Sequence, residues 1–193
     1  MNLNLQFSNT KILEYLFSQF QWFDDIIYLR MFFEYYNKIV ILMFDTCEEL
    51  SKYINRKIPS WVIATHINNT ILILDYEVWK SRNHGCFIQI LTHEFVHVII
   101  SNRNKEVPMW LNEGLAVYFA KQLNDLEDIN AKTFVDNIYN ANYNFENFYN
   151  ISGLIVQRII EIYGIEIILR IPKISDFETD KVFGIENLKM IYS

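Results

Sequence analysis

Apolar residues recur at helical spacing through most of the chain and run together as strands in its second quarter. From Thr10 to Tyr36 the positions Ile12, Leu13, Leu16, Phe17 and Phe20 mark a helix that Asn9 or Thr10 can cap, with Gln21 to Asp25 offering a break into two. Lys38 to Asp45, KIVILMFD, is a short continuous apolar run with β-branched residues, the pattern of a buried strand. Thr46 followed by Glu49 forms a capping box for a helix that runs to about Arg56 and stops before Pro59. Trp61–His66 and Thr70–Tyr76 read as two strands joined at Ile67-Asn68-Asn69, an antiparallel hairpin.

Beyond the hairpin the pattern is helical. A connection over 76–84 leads to a helix from Gly85 to about Asn102, capped by Asn83. After the polar loop Asn102–Glu106, Pro108 suits the first turn of a helix running to about Asn124. The polar stretch Asn124–Asn130 precedes a helix over Ala131–Tyr139, and Asn140–Asn147 is an Asn-rich loop. Phe148–Tyr163 is amphipathic and closed by Gly164, and Ile165–Arg170 begins a helix that Pro172 should end. The tail to Ser193 carries no clear pattern. This order predicts an α+β fold in a single domain over 1–193. It has an aromatic-rich helical segment at 1–37, a sheet and following helix at 38–102, and a helical part at 103–193.

Composition narrows the class. With 51% hydrophobic residues and only 5 Gly and 3 Pro in 193 residues, the chain has enough apolar side chains for a sizeable core and little linker. The net charge of −6, without a Lys/Arg cluster, argues against nucleic acid as a partner. The longest apolar run is too short to span a bilayer, and MNLNLQFSNTK lacks a basic segment followed by an apolar one. The expectation is therefore a cytoplasmic protein with no membrane partner. Cys47 and Cys86 do not make a disulfide framework and read as buried thiols; Cys86, two turns before His93, is too far along the helix to reach an ion there. The aromatic side chains of the N-terminal segment read as core packing, with a hydrophobic partner surface as the alternative.

The chemistry lies in His93-Glu94-Phe95-Val96-His97. On a helix, positions i and i+4 differ by about 40° of rotation, so both imidazoles leave one face and can grip one ion. Glu94 lies near that face, where its carboxylate can reach a water on the ion. Zinc suits two neutral imidazoles and a carboxylate with one position left open. Two His residues on an apolar helix are also compatible with ordinary core positions. His66 and His84 carry no motif and read as a strand-end and a helix-start residue, with a place near the site as the alternative for His84.

The segment Trp110-Leu111-Asn112-Glu113-Gly114-Leu115-Ala116, in which fifteen residues separate Glu113 from His97, changes the balance. Together with His93, Glu94 and His97 it resembles the gluzincins, the zinc peptidases of the peptidase MA clan whose third ligand is a Glu. W-L-N-E-G-x-A is similar to the aminopeptidase branch and to the small peptidase-MA-like domains. The resemblance covers about Lys38 to Gly164, including Tyr149-Asn150-Ile151-Ser152 and a helix ending in Tyr163-Gly164. It implies a zincin-like fold, a small twisted sheet on the zinc helix followed by a mainly helical lower half. It also implies one Zn²⁺ per chain, held by His93, His97 and Glu113. The implied activity is hydrolysis of peptide or protein substrates, endopeptidase-like, by a zinc-activated water with Glu94 as general base. Tyr149, opening the helix that matches the family's Y-x-x-S, is the candidate oxyanion donor.

Glu113 falls in the first turns of a helix able to pack antiparallel to the His helix, and Gly114 would let the two approach closely. The alternative is a solvated acid favoured by the helix dipole. Two departures stand out. The G-A-M-E-N segment that clamps a free amino end is absent, so aminopeptidase action is unsupported. Val117 replaces the acid that supports a zinc-bound His in thermolysin-like enzymes. The strand at Thr70–Asp75 is expected to pair with an extended substrate. Two rival readings remain: a non-catalytic zincin-fold binding or scaffold protein that retains the metal, and a helical interaction protein built on the aromatic N-terminal segment.

Overall fold

The structure, a computed structural model, describes residues 20–81, 86–124 and 131–192. The first part of the N-terminal helix, its cap at Asn9 or Thr10, Asn83, His84 and residues 125–130 lie outside the described residues. The chain divides into two compact units, residues 1–102 and 103–193, a boundary at the end of the sheet-bearing part of the sequence. Mixed α and β structure with one small sheet agrees with the α+β expectation.

In the first unit, helix α1 (Phe20–Phe32) runs through Gln21–Asp25 without a break. Ile26, Leu29 and Phe33 are buried on one side, whereas Tyr28, Met31 and Tyr36 are exposed, so the aromatic segment only partly serves the core. Buried Arg30 donates from Nε to the Tyr35 carbonyl at 3.2 Å and from its terminal nitrogen to Asn37 at 3.0 Å, fixing the turn that follows. Strand β1 (Val40–Phe44) leads to α2 (Cys47–Tyr53). Thr46 caps α2 as expected, with Glu49 N–H donating to Thr46 Oγ1 at 3.1 Å; the Glu49 carboxylate reaches back one residue further than a capping box requires, its Oε2 accepting from Asp45 N–H at 3.2 Å.

Strands β2 (Ala64–Ile67) and β3 (Thr70–Leu74) form the antiparallel hairpin. It is shorter than the sequence pattern suggested. Its turn is Asn68-Asn69 alone, with Asn68 at φ 51°, while Ile67 pairs with Thr70. The sheet order is β1-β3-β2, with β1 parallel to β3 from Val40↔Thr70 to Phe44↔Leu74. Leu72 and Leu74 join Leu50 of α2 and Ile58 in a core that Leu42, Phe44 and Val62 extend. Each such buried side chain contributes roughly 1.5–3 kcal/mol over an exposed one. By strand alternation Ile41, Ile71 and Ile73 point to the other face, and so does His66, which is paired with Ile71.

Where a plain connection was expected after the hairpin, Asp75 starts a short helix, α3 (Tyr76–Ser81), accepting from Glu77 N–H at 3.0 Å. Helix α4 (Phe87–Arg103) follows and buries Leu91, Val96, Val98, Ile99 and Ile100. Neither cysteine is the buried thiol expected. Cys86 precedes the first turn of α4 and is exposed, and Cys47 opens α2 half-buried.

Among its described residues the second unit is helical: α5 (Met109–Phe119), α6 (Ala131–Asp136), α7 (Phe148–Tyr163), a 3₁₀ helix (Ile165–Lys173) and α8 (Ile185–Ile191). Pro108 precedes α5 in extended conformation, at φ −63° and ψ 149°. The helices α5 and α7 cross on glycines. A Cβ on Gly114 would lie 2.4 Å from the Ser152 carbonyl oxygen, and one on Gly153 would lie 2.6 Å from Val117 Cγ1. The close approach that Gly114 permits is thus to α7. Val117, where an acid would support a metal ligand in thermolysin-like enzymes, packs here against α7.

Pro172 does not end the segment after Gly164 but lies inside it. Ile165, Ile168, Ile171 and Ile174 repeat every third residue, which suits the three-residue turn of a 3₁₀ helix, and Pro's fixed φ fits that geometry. The tail is pinned by Tyr139, whose hydroxyl donates to the carbonyls of Phe177 at 2.7 Å and Phe183 at 3.0 Å. Burial, then the charges of Glu178, Asp176 and Asp180, push that hydroxyl well above the usual tyrosine range, so it stays protonated and donating.

Candidate metal centre

The first unit supplies a pair of imidazoles and a carboxylate on one stretch of α4. His93 Nε2 and His97 Nε2 lie 3.0 Å apart, with their rings nearly perpendicular at 82° and centroids 4.6 Å apart. Two nitrogens bound tetrahedrally to one ion at about 2.05 Å would lie about 3.3 Å apart. The observed spacing needs only a small opening to fit, so the donor pair suits a zinc-sized ion. His97 is buried and His93 half-buried, which leaves access from one side.

Glu94 is buried, and its Oε2 lies 3.3 Å from His66 Nδ1. The His66 ring also stacks on His97, with centroids 5.3 Å apart and planes 24° apart. Burial alone would push the Glu94 carboxyl up. The His66 hydrogen bond and the positive character of His97, His93 and His66 outweigh it and hold the group below the usual glutamate range. Glu94 is therefore a carboxylate.

The second unit presents Glu113 from the second turn of α5. It is buried, against the alternative of a solvated helix-start acid. Tyr143 from the Asn-rich loop donates its hydroxyl to Glu113 Oε1 at 2.8 Å. The Tyr143 ring stacks on Tyr149, with centroids 5.6 Å apart, and meets Phe148 edge-on at 5.5 Å. Tyr149 itself is 39% exposed at the start of α7, so its phenol ring backs the residue that holds Glu113. Trp110, one turn before Glu113, is fully buried, its ring edge-on to Tyr139.

Two residues that sequence patterns did not single out touch the predicted site residues, His66 against Glu94 in the first unit and Tyr143 against Glu113 in the second. The alternation of β2 places His66 opposite Ile71 and was a usable signal. A tyrosine in an irregular loop carried none. The Tyr143→Phe variant should fold normally, because ring packing is kept. Were Glu113 to hold an ion such as zinc, the variant would bind it about 10–100-fold more weakly, the range for losing a group that orients a ligand. Competition titration against a fluorescent chelator measures this, and unchanged affinity would detach Tyr143 from the site.

Compared with known proteins, the chain matches no family model, no curated protein and no solved structure.

Proposed function

We propose that the protein is a zinc-dependent peptide hydrolase of the gluzincin type. In this reading His93, His97 and Glu113 hold the metal. The observation that carries it is the buried Glu94 carboxylate beside the imidazole pair of α4, kept ionised and outside the ligand set. A site that only stored a metal would have no use for that acid.

When bound, the ion would supply a Lewis acid for a carbonyl oxygen and a water of lowered pKa. Glu94 would take a proton from the attacking water while the water's oxygen bonds to the scissile carbonyl carbon. As the C–N bond breaks, Glu94 returns the proton to the leaving amine. The Tyr149 hydroxyl is the proposed donor to the developing oxyanion.

The extended substrate cannot add to Thr70–Asp75 as the sequence suggested, because β3 is the central strand and is paired on both sides. Strand β2 is an edge strand. Leu74 N–H donates to Ile63, so alternation turns the backbone groups of Ala64 and His66 away from β3. An extended peptide pairing there would run beside His66 and so past Glu94.

The test is cleavage of an unfolded protein by the zinc-loaded chain, with mass spectrometry of the products. Cleavage should stop with a strong chelator and return with stoichiometric zinc. A chain carrying one zinc that cleaves nothing in a broad peptide library would instead be a zincin-fold scaffold retaining its metal.

A further inference from the structure

We propose that His66 is a positioning residue: its Nδ1–H holds the Glu94 carboxylate in the orientation needed to take a proton from the attacking water. This rests on the hydrolase reading above. Its physical basis lies wholly in the first unit.

A Glu side chain has three rotatable bonds, and a general base must stay within hydrogen-bond reach of its proton donor. Glu94 follows His93 directly on α4, so nothing in helix geometry alone aims its carboxylate. Among the described residues, the hydrogen bond to that carboxylate comes from outside the helix, from His66 Nδ1 to Oε2 at 3.3 Å.

His66 is itself constrained at three points. Its backbone is set by the hairpin register His66↔Ile71. Strand alternation turns its side chain to the sheet face opposite the Leu72–Leu74 core. Its ring lies on that of His97. A rigid strand therefore carries the donor, and a rigid helix carries the acceptor, so the pair fixes the base without mobile parts. The backbone of His66 faces the open side of β2, so the residue against which a substrate strand would pair also aims the base.

The experiment uses the full chain as wild type, His66→Ala, His66→Asn and Glu94→Ala. Asn places its side-chain NH₂ where His has Nδ1, so it can restore the donor. Nitrogen-15 NMR of the metal-free wild type should show the His66 proton on Nδ1, moving to Nε2 in Glu94→Ala. This readout needs neither metal nor turnover. Zinc stoichiometry should stay at one in both His66 variants. In peptide hydrolysis His66→Ala should lower kcat about 10–100-fold with little change in KM, and His66→Asn should recover most of the loss.

A His66 proton on Nε2 in the wild type overturns the inference. So does a His66→Ala variant as active as the wild type, or an Asn variant no better than Ala. If the zinc-loaded wild type hydrolyses nothing, the hydrolase reading fails and the catalytic part of this inference falls with it; the NMR signature then shows separately whether the contact exists.

Discussion

Replacing Glu94 by Gln is expected to leave the protein folded and zinc-loaded and to lower peptide hydrolysis at least about 100-fold, the lower end of what a general base contributes. The substitution keeps the shape of the side chain and an oxygen to accept from His66 Nδ1–H, so the local packing survives. What it removes is the capacity to accept a proton. Because Glu94 is buried beside the imidazole pair and is the one acid on α4, its loss has no substitute on that helix. Steady-state kinetics on a quenched flexible peptide, beside zinc analysis of the same samples, give the answer. Equal rates for the two proteins would take Glu94 out of the mechanism.

The second large effect is on the metal. The His93→Ala, His97→Ala double variant should fall from one zinc per chain to well under about 0.1, since a single remaining carboxylate cannot hold the ion against water. The same change should appear as lost stabilisation. Free zinc at about 100 times its dissociation constant stabilises a binding fold by roughly 2.7 kcal/mol, so the wild-type Tm should rise on adding zinc and the variant's should not. Elemental analysis and a thermal melt with and without zinc measure both. A double variant that keeps one zinc would place the metal elsewhere.

Much of the scaffold was legible because it depends on local rules. The α7 bounds Phe148–Tyr163 coincide with the sequence reading, since Gly164 at φ 79° stops the helix where no side chain is tolerated comfortably. The cap at Thr46 and the hairpin at Asn68-Asn69 are likewise written in neighbouring residues. What escaped depends on partners far along the chain. His66 meets Glu94 across 28 residues and Tyr143 meets Glu113 across 30, and no periodicity links such pairs. Gly114 was rightly read as a point of close approach, but its neighbour is Ser152 of α7, which only the packed structure identifies. Pro172 misled because a proline rule made for α-helices was applied to a segment whose isoleucines repeat in threes.

The parallel pairing of β1 with β3 also bears on the order in which a growing chain can assemble. Val40–Phe44 leaves the ribosome first, yet its register partners end at Leu74, so thirty residues must follow before it has a strand to join. The hairpin closes through a two-residue turn and can form within its own few residues. During synthesis the segment VILMF therefore waits as an unpaired apolar strand, open to self-association until the hairpin reaches it.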